Sequence, residues 1–187
     1  MKRLLTVFVG LGAMLSALGT AEAKKNVLPD WQDPQIVQEN RLPMTASFQS
    51  GGLKLSLNGM WKFAWYESID SRSMDFYKTD YADADWDYMP VPGMWELNGY
   101  GDPVYKNVGY AWNGHYDTNP PYPAMEHNYA GQYRRTFVLG EEWAGEDIFL
   151  HIGSATSNVR VWVNGKEVGY SEDSKLEARF DITKYVH

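Results

Sequence analysis

The chain has 187 residues, a formal net charge of −7, 15% aromatic residues and no cysteine. The absence of Cys excludes a disulfide framework, a thiolate nucleophile and a Cys-based zinc site. The balance of 24 Asp and Glu against 17 Lys and Arg argues against nucleic acid or an anionic membrane as the main partner. With 44% hydrophobic residues the chain has material for one packed core rather than disorder.

Residues 1–23 read as an export leader. Lys2 and Arg3 precede an apolar run from Leu4 to Leu18, and Ala21 and Ala23 supply the small-residue pattern of a signal-peptidase site. The run is short of the ~20 residues a membrane span needs and is rich in Gly and Ala, so an uncleaved anchor is the lesser alternative. Cleavage after Ala23 predicts a periplasmic or secreted protein without membrane contact, and no Cys stands there to carry a lipid. Without disulfides, such a chain depends on packing or on a larger assembly.

Residues 24–52 are polar, carry Pro29, Pro34 and Pro43, and lack periodicity, which predicts an extended arm. Residues 53–187 then read as one β-domain. Leu53, Leu55 and Leu57 alternate with polar residues and lead into the turn dipeptide Asn58-Gly59. Trp61, Phe63 and Trp65 follow with the period of a half-buried strand. The stretch 71–87 predicts short helical turns, with Asp80, Asp83, Asp85 and Asp87 solvating a surface rather than forming an oxygen-ligand metal loop. Regular alternation returns at 133–139, 148–152 and 159–163. Asn164-Gly165 then predicts a two-residue hairpin into 166–170, and Phe180 and Ile182 open one more strand.

Short strands separated by Gly, Asn and Pro turns predict an all-β fold, an antiparallel jelly-roll-like β-sandwich. The last strand has no partner signal after it, so the sandwich is expected to be incomplete at its C-terminal edge, leaving unpaired backbone groups.

Between residues 90 and 130 the chain combines prolines with Trp95, Tyr100, Tyr105, Tyr110, Trp112, Tyr116 and Tyr122. Linkers are polar, so this composition predicts a structured functional loop. Aromatic faces stack on sugar rings, and amides such as Asn107, Asn113 and Asn119 both donate to and accept from hydroxyls. A carbohydrate therefore fits, and so does a loop held down by its own aromatics. Conventional catalytic signals are sparse. Glu96 and Glu126 are the only tempting acids, and a surface role is the favoured reading for each. His115, His127, His151 and His187 lack metal-type spacing, and Ser154, Ser157 and Ser171 lack a nucleophile elbow.

Five ordered blocks carry a family resemblance: WQDPQIVQENRLP (31–43), LSLNGMWKFAW (55–65), VPGMWELNGYGDPVYKNVGY (91–110), NPPYP (119–123) and VWVNGKEVGYSEDSKLEARFDIT (161–183). In these blocks the chain resembles the amino-terminal sugar-binding domain of the family-two glycoside hydrolases, in the β-galactosidase branch rather than the glucuronidase or mannosidase branches. The resemblance implies a retaining glycosidase of several domains, with catalytic glutamates and magnesium ligands on a later (β/α)₈ barrel. No catalytic residue and no metal site is then expected in this chain. It also implies that Asn107 matches the family's substrate-contacting position, with Val108 as its matching neighbour. A family Asp that contacts sugar and sodium is expected beyond His187. Implied partners are a β-galactoside, the remaining domains and further subunits, the arm resembling a segment that supports assembly. Residues 109–118 depart from the family pattern around the pocket rim. A free-standing carbohydrate-binding module is the alternative reading.

Overall fold

The computed structural model describes residues 3–10, 28–44, 52–103 and 122–186. Among the described residues there are β1 (Arg3–Gly10), β2 (Gln38–Glu39), β3 (Gly59–Tyr66), β4 (Asp87–Val91), β5 (Ala130–Leu139), β6 (Phe149–Ile152), β7 (Val159–Val163), β8 (Lys166–Ser171) and β9 (Ala178–Asp181). Short 3₁₀ turns and no α-helix accompany them. One sheet runs β2-β8-β7-β1-β5-β3-β4 and a second pairs β6 with β9. All these pairings are antiparallel, as the alternating pattern requires. The molecule is the all-β sandwich expected, with unequal layers.

Burial explains the layering. Every residue of β7 is buried. Val159, Val161 and Val163 share a core with Leu150 of β6, Phe180 of β9 and Trp61 of β3. Trp162, pointing the other way as strand pleating demands, packs on Phe76 and stacks on Tyr77 with ring centroids 5.8 Å apart. The large sheet is thus covered twice, by β6 and β9 on one face and by the segment 67–86 on the other. A strand buried on both faces reads as a continuous apolar run.

Polar anchors hold the covering segments. Arg134 of β5 donates to the carbonyls of Phe76 and Lys78 and pairs with Asp83 at 2.8 Å, while Gln132 Nε2 donates to the Ser73 carbonyl at 2.6 Å. Asp83 is therefore an anchor as well as a surface acid. Arg160 of β7 meets Asp30 and Glu39 of the arm and Glu167 of β8. Within the arm, β2 pairs with β8, Asn40 Nδ2 donates to the Val168 carbonyl at 2.9 Å, and Arg41 pairs with Asp173. Residues 28–44 are thereby bound to the sandwich along its β8 edge.

The Asn164-Gly165 hairpin forms as expected, with φ of 51° and 79° in the left-handed region that a two-residue turn requires. Four other expectations shift. Residues 53–58 form no ladder, and Leu53 and Leu55 stay exposed. Asn58-Gly59 makes no hairpin. Gly59 instead opens β3 at φ 132°, with Arg135 donating to the Leu57 and Asn58 carbonyls, because a long-range guanidinium outcompetes the local turn. Residues 87–91 form a strand despite Pro90, since β4 is the sheet edge and a missing N–H costs nothing there. Finally, residues 3–10 of the expected leader form β1, paired with β5 from Arg3↔Leu139 to Gly10↔Gln132 and with β7 from Val7↔Val163 to Gly10↔Arg160. An apolar leader core and a buried strand share one composition, so periodicity alone does not separate them.

Candidate functional site at the aromatic rim

The loop singled out by its aromatics is bounded by residues 92–103 and 122–129. Asn107 and Val108, with Tyr105, Tyr110, Trp112, Asn113, His115, Tyr116 and Asn119, lie outside the described residues, so the rim is built from the flanks.

Phe63 and Trp65, at the end of β3, meet Tyr133 at the start of β5 and the rings that follow β4. Phe63 lies 4.7 Å from Tyr133, 5.0 Å from Tyr100 and 6.1 Å from Trp95 between ring centroids. Trp65 continues the series to Tyr129 at 5.1 Å and Tyr100 at 6.2 Å. Tilted and edge-on pairs of this kind contribute ~0.5–1.5 kcal/mol each beyond area burial. Gly131 makes the packing possible, because a Cβ there would stand 2.4 Å from the Trp95 ring and 2.9 Å from Phe63. The Trp95 indole donates to the Tyr133 hydroxyl. Burial pushes the Tyr133 phenol up to about 12, against the lowering influence of that indole bond, so the hydroxyl stays protonated.

A polar cluster sits beside the rings. His127 Nδ1 lies 2.9 Å from Asp102 Oδ2 and 2.8 Å from the Tyr129 hydroxyl, which itself donates to Asp102. These groups tie Asp102, after β4, to His127 and Tyr129, just before β5. His127 adopts φ 53°, and Gly101 takes φ 71°, a left-handed conformation that glycine adopts without strain. Tyr100 donates to Asp87 at 2.9 Å. Two donors facing this region, Trp65 Nε1 and Asn128 Nδ2, are buried without a hydrogen-bond partner, a situation that costs ~1–3 kcal/mol per group. Together the rim offers stacking faces, a carboxylate, an imidazole and a phenol, which is chemistry suited to hydroxyl-bearing ligands.

The remaining candidates are dispersed. Glu96 and Glu126 are exposed, on a 3₁₀ turn and in a hydrogen-bonded turn. His151 pairs with Glu177 at 3.0 Å across β6 and the chain entering β9, far from the rim in sequence. Ser171 is buried and accepts from Arg41 at 3.0 Å. An open cleft of ≈330 Å³ near Lys62, Asp83, Arg134 and Arg135 has these charges turned on one another and on backbone carbonyls, so it serves the fold. Among the described residues no group of three or more His, Asp or Glu could hold a metal ion, and no helix is long and apolar enough to cross a membrane. Sequence reasoning missed Trp65, Asp102 and Tyr129 as rim members. Only the aromatic content of the flanks signalled them, since the chain separation between 65, 102 and 129 hides their meeting.

The comparisons define a class first. The family model described as the sugar binding domain of glycosyl hydrolases family 2 matches residues 54–187, and the chain belongs to that family. Similar proteins then narrow the class. A β-galactosidase of Priestia megaterium is 37% identical over 179 residues, covering 88% of this chain and 17% of the relative. A β-galactosidase of Clostridium acetobutylicum is 38% identical over 171 residues, covering 84% of this chain and 19% of the relative. The β-galactosidase large subunit of Leuconostoc lactis is 34% identical over 176 residues, covering 82% and 28% respectively. The chain thus spans less than a third of the length of each of these relatives.

Proposed function

We propose that residues 53–187, preceded by the arm 24–52, are the sugar-binding domain of an exported β-galactosidase that hydrolyses terminal β-galactosides with retention, the reacting carboxylates lying on polypeptide outside this chain. The observation that carries this reading is the match of residues 54–187 to the family's sugar-binding domain, shared with relatives named as β-galactosidases. In this reading the Asn107 amide hydrogen-bonds a galactose hydroxyl with Val108 beside it, and the rim around Trp65, Tyr100 and Tyr129 supports the loop that presents them. Retaining hydrolysis needs two carboxyl groups ~5–5.5 Å apart across the glycosidic bond. Neither Glu96 nor Glu126 is assigned that part, and the domain's contribution is to orient the sugar. Magnesium and sodium belong, on this reading, to the rest of the enzyme. The leader sends the protein to the periplasm or medium, and the complete enzyme assembles as a homo-oligomer.

The test is kinetic. A neutral hydrogen bond to a sugar hydroxyl is worth about 1 kcal/mol, so Asn107→Ala in the full-length enzyme lowers kcat/KM for a chromogenic β-galactoside about fivefold. Unchanged constants would reduce the domain to an assembly element. The 187-residue chain alone gives no turnover. Turnover abolished by Glu96→Gln would place the chemistry here, and saturable galactose binding by this chain with no full-length enzyme in the cell would favour a free-standing module.

A further inference from the structure

We propose that His127 is a positioning residue for sugar binding: as a hydrogen-bond donor between Asp102 and Tyr129 it fixes the chain at Asp102-Pro103, from which Asn107 follows. This deepens the proposed function and rests on the reading of Asn107 as the amide that meets a galactose hydroxyl.

The three polar atoms form a closed triangle. His127 Nδ1 stands 2.9 Å from Asp102 Oδ2 and 2.8 Å from the Tyr129 hydroxyl, and that hydroxyl donates to Asp102. The carboxylate only accepts, and the phenol spends its single proton on it. A bare Nδ1 would therefore set a second acceptor against the carboxylate with no hydrogen between them. The triangle closes only with the proton on Nδ1, which donates to Asp102 or to the Tyr129 oxygen. His127 holds this place at φ 53°, a left-handed conformation uncommon outside glycine, in which Asn, Asp and His are the favoured exceptions. The His127 and Asp102 side chains are each 49% exposed, so their pairing adds little to stability. A donor kept at a left-handed backbone position for so little stability points to a placement task.

The donor joins two stretches that are already anchored to the sandwich. Before Asp102, Tyr100 is held by Phe63 at 5.0 Å and Trp65 at 6.2 Å between ring centroids, and by its bond to Asp87. Around His127, the Asn128 carbonyl accepts from the Ile69 N–H at 2.8 Å, and the Tyr129 ring lies 5.1 Å from Trp65. Pro103 comes directly after Asp102. Its ring restricts Asp102 to extended conformations and fixes its own φ, so a direction set at Asp102 is carried into the next residue. Asn107 closes the same run, Asp-Pro-Val-Tyr-Lys-Asn, which spans ~18 Å at most. A change of direction at Asp102 moves the start of that run, and a misplacement of ~1 Å is enough to spoil a productive contact with substrate.

The test measures kcat/KM of the full-length enzyme on a chromogenic β-galactoside, with the melting temperature alongside. His127→Ala removes the donor and lowers kcat/KM about two- to fivefold, no more than Asn107→Ala does, because it acts through that residue. His127→Asn recovers most of the loss: its amide donates from nearly the place of Nδ1, and Asn accepts the left-handed backbone. His127→Asp suits the backbone equally well but sets only an acceptor beside Asp102, and it stays as impaired as His127→Ala. In an Asn107→Ala background these substitutions change nothing further. The proposal is overturned by a His127→Ala enzyme that matches the parent, by His127→Asn and His127→Asp enzymes that behave alike, or by a loss that persists without the Asn107 amide, the mark of a general structural role. Should His127→Ala fail to fold, Tyr129→Phe, which keeps the ring on Trp65 and removes the hydroxyl, is read in its place against the same Asn107→Ala background. A costly Asn107→Ala beside silent His127 variants sinks this inference alone, whereas a silent Asn107→Ala sinks the reading beneath it as well.

Discussion

Arg134 and Arg160 are the same residue type, both almost fully buried on neighbouring parts of one sheet, and they solve burial differently. Arg134, on β5, spends two of its bonds on the carbonyls of Phe76 and Lys78, with Asp83 as its described carboxylate. Burial dominates and holds its guanidinium below the ordinary arginine value. Arg160, on β7, is met by three carboxylates, Asp30, Glu39 and Glu167. Burial alone would lower it too, but Glu167 and Asp30 outweigh that and hold it above the ordinary value. One arginine works as a directional donor that folds the segment 67–86 onto the sheet. The other is a charge-compensated clasp that joins the arm to the β7–β8 hairpin. Geometry holds the first region, and charge balance holds the second.

Breaking the clasp has the largest expected effect. Arg160→Ala leaves clustered acids without their cation and destabilises the domain by about 3–5 kcal/mol, the range seen when one partner of a buried pair is removed. Thermal melts report the loss, and limited proteolysis should cut within residues 28–44 first. Arg134→Ala takes a donor from two carbonyls, leaves Asp83 only Lys62 at 3.8 Å, and costs about 2–3 kcal/mol, with first cleavage within 67–86. Lysine separates the two modes: Arg160→Lys recovers part of the stability because charge is retained, whereas Arg134→Lys recovers little because the planar fork is lost. If the two lysine variants behave alike, the contrast between charge and geometry fails.

Smaller perturbations sharpen the same picture. Gly165→Ala in the hairpin that presents Glu167 forces a side chain into φ 79° and costs about 1 kcal/mol. The smallest effect comes from Glu172, which accepts from the Tyr170 hydroxyl at 2.6 Å. Burial raises its carboxyl above the ordinary value, partly offset by that bond, with nearby Asp30 raising it further. A raised value means that the protonated form favours folding, so this contribution is complete below the ordinary carboxylate value and is lost as pH rises through the folded value. Glu172→Gln keeps an acceptor and removes the charge. It melts slightly higher than the parent at pH 7, and the gap closes as the pH falls below the carboxylate range. A gap that widens in acid would reverse the sign.

Much of this architecture was written locally. The alternations at 61–65, 133–139 and 159–163 became β3, β5 and β7, because a strand with one or both faces buried must place apolar side chains at the pleat's period. Asn164-Gly165 turned where it stood, since both residues tolerate positive φ at little cost. At the site, the aromatic flanks announced a rim, but no pattern linked Trp65 to Tyr129 or Asp102 to His127, whose approach depends on how separate turns pack.

By its order of residues alone, then, this chain determined its strand periods, its Asn164-Gly165 hairpin and its family blocks, all properties of nearest neighbours along the backbone. The tertiary structure decided which strand lies between β5 and β7, that the arm closes over Arg160, and that Asn58-Gly59 runs on into β3 rather than turning back. Those choices balance the desolvation of buried guanidinium, amide and carbonyl groups against partners tens of residues away. That balance exists only once the sheets have formed.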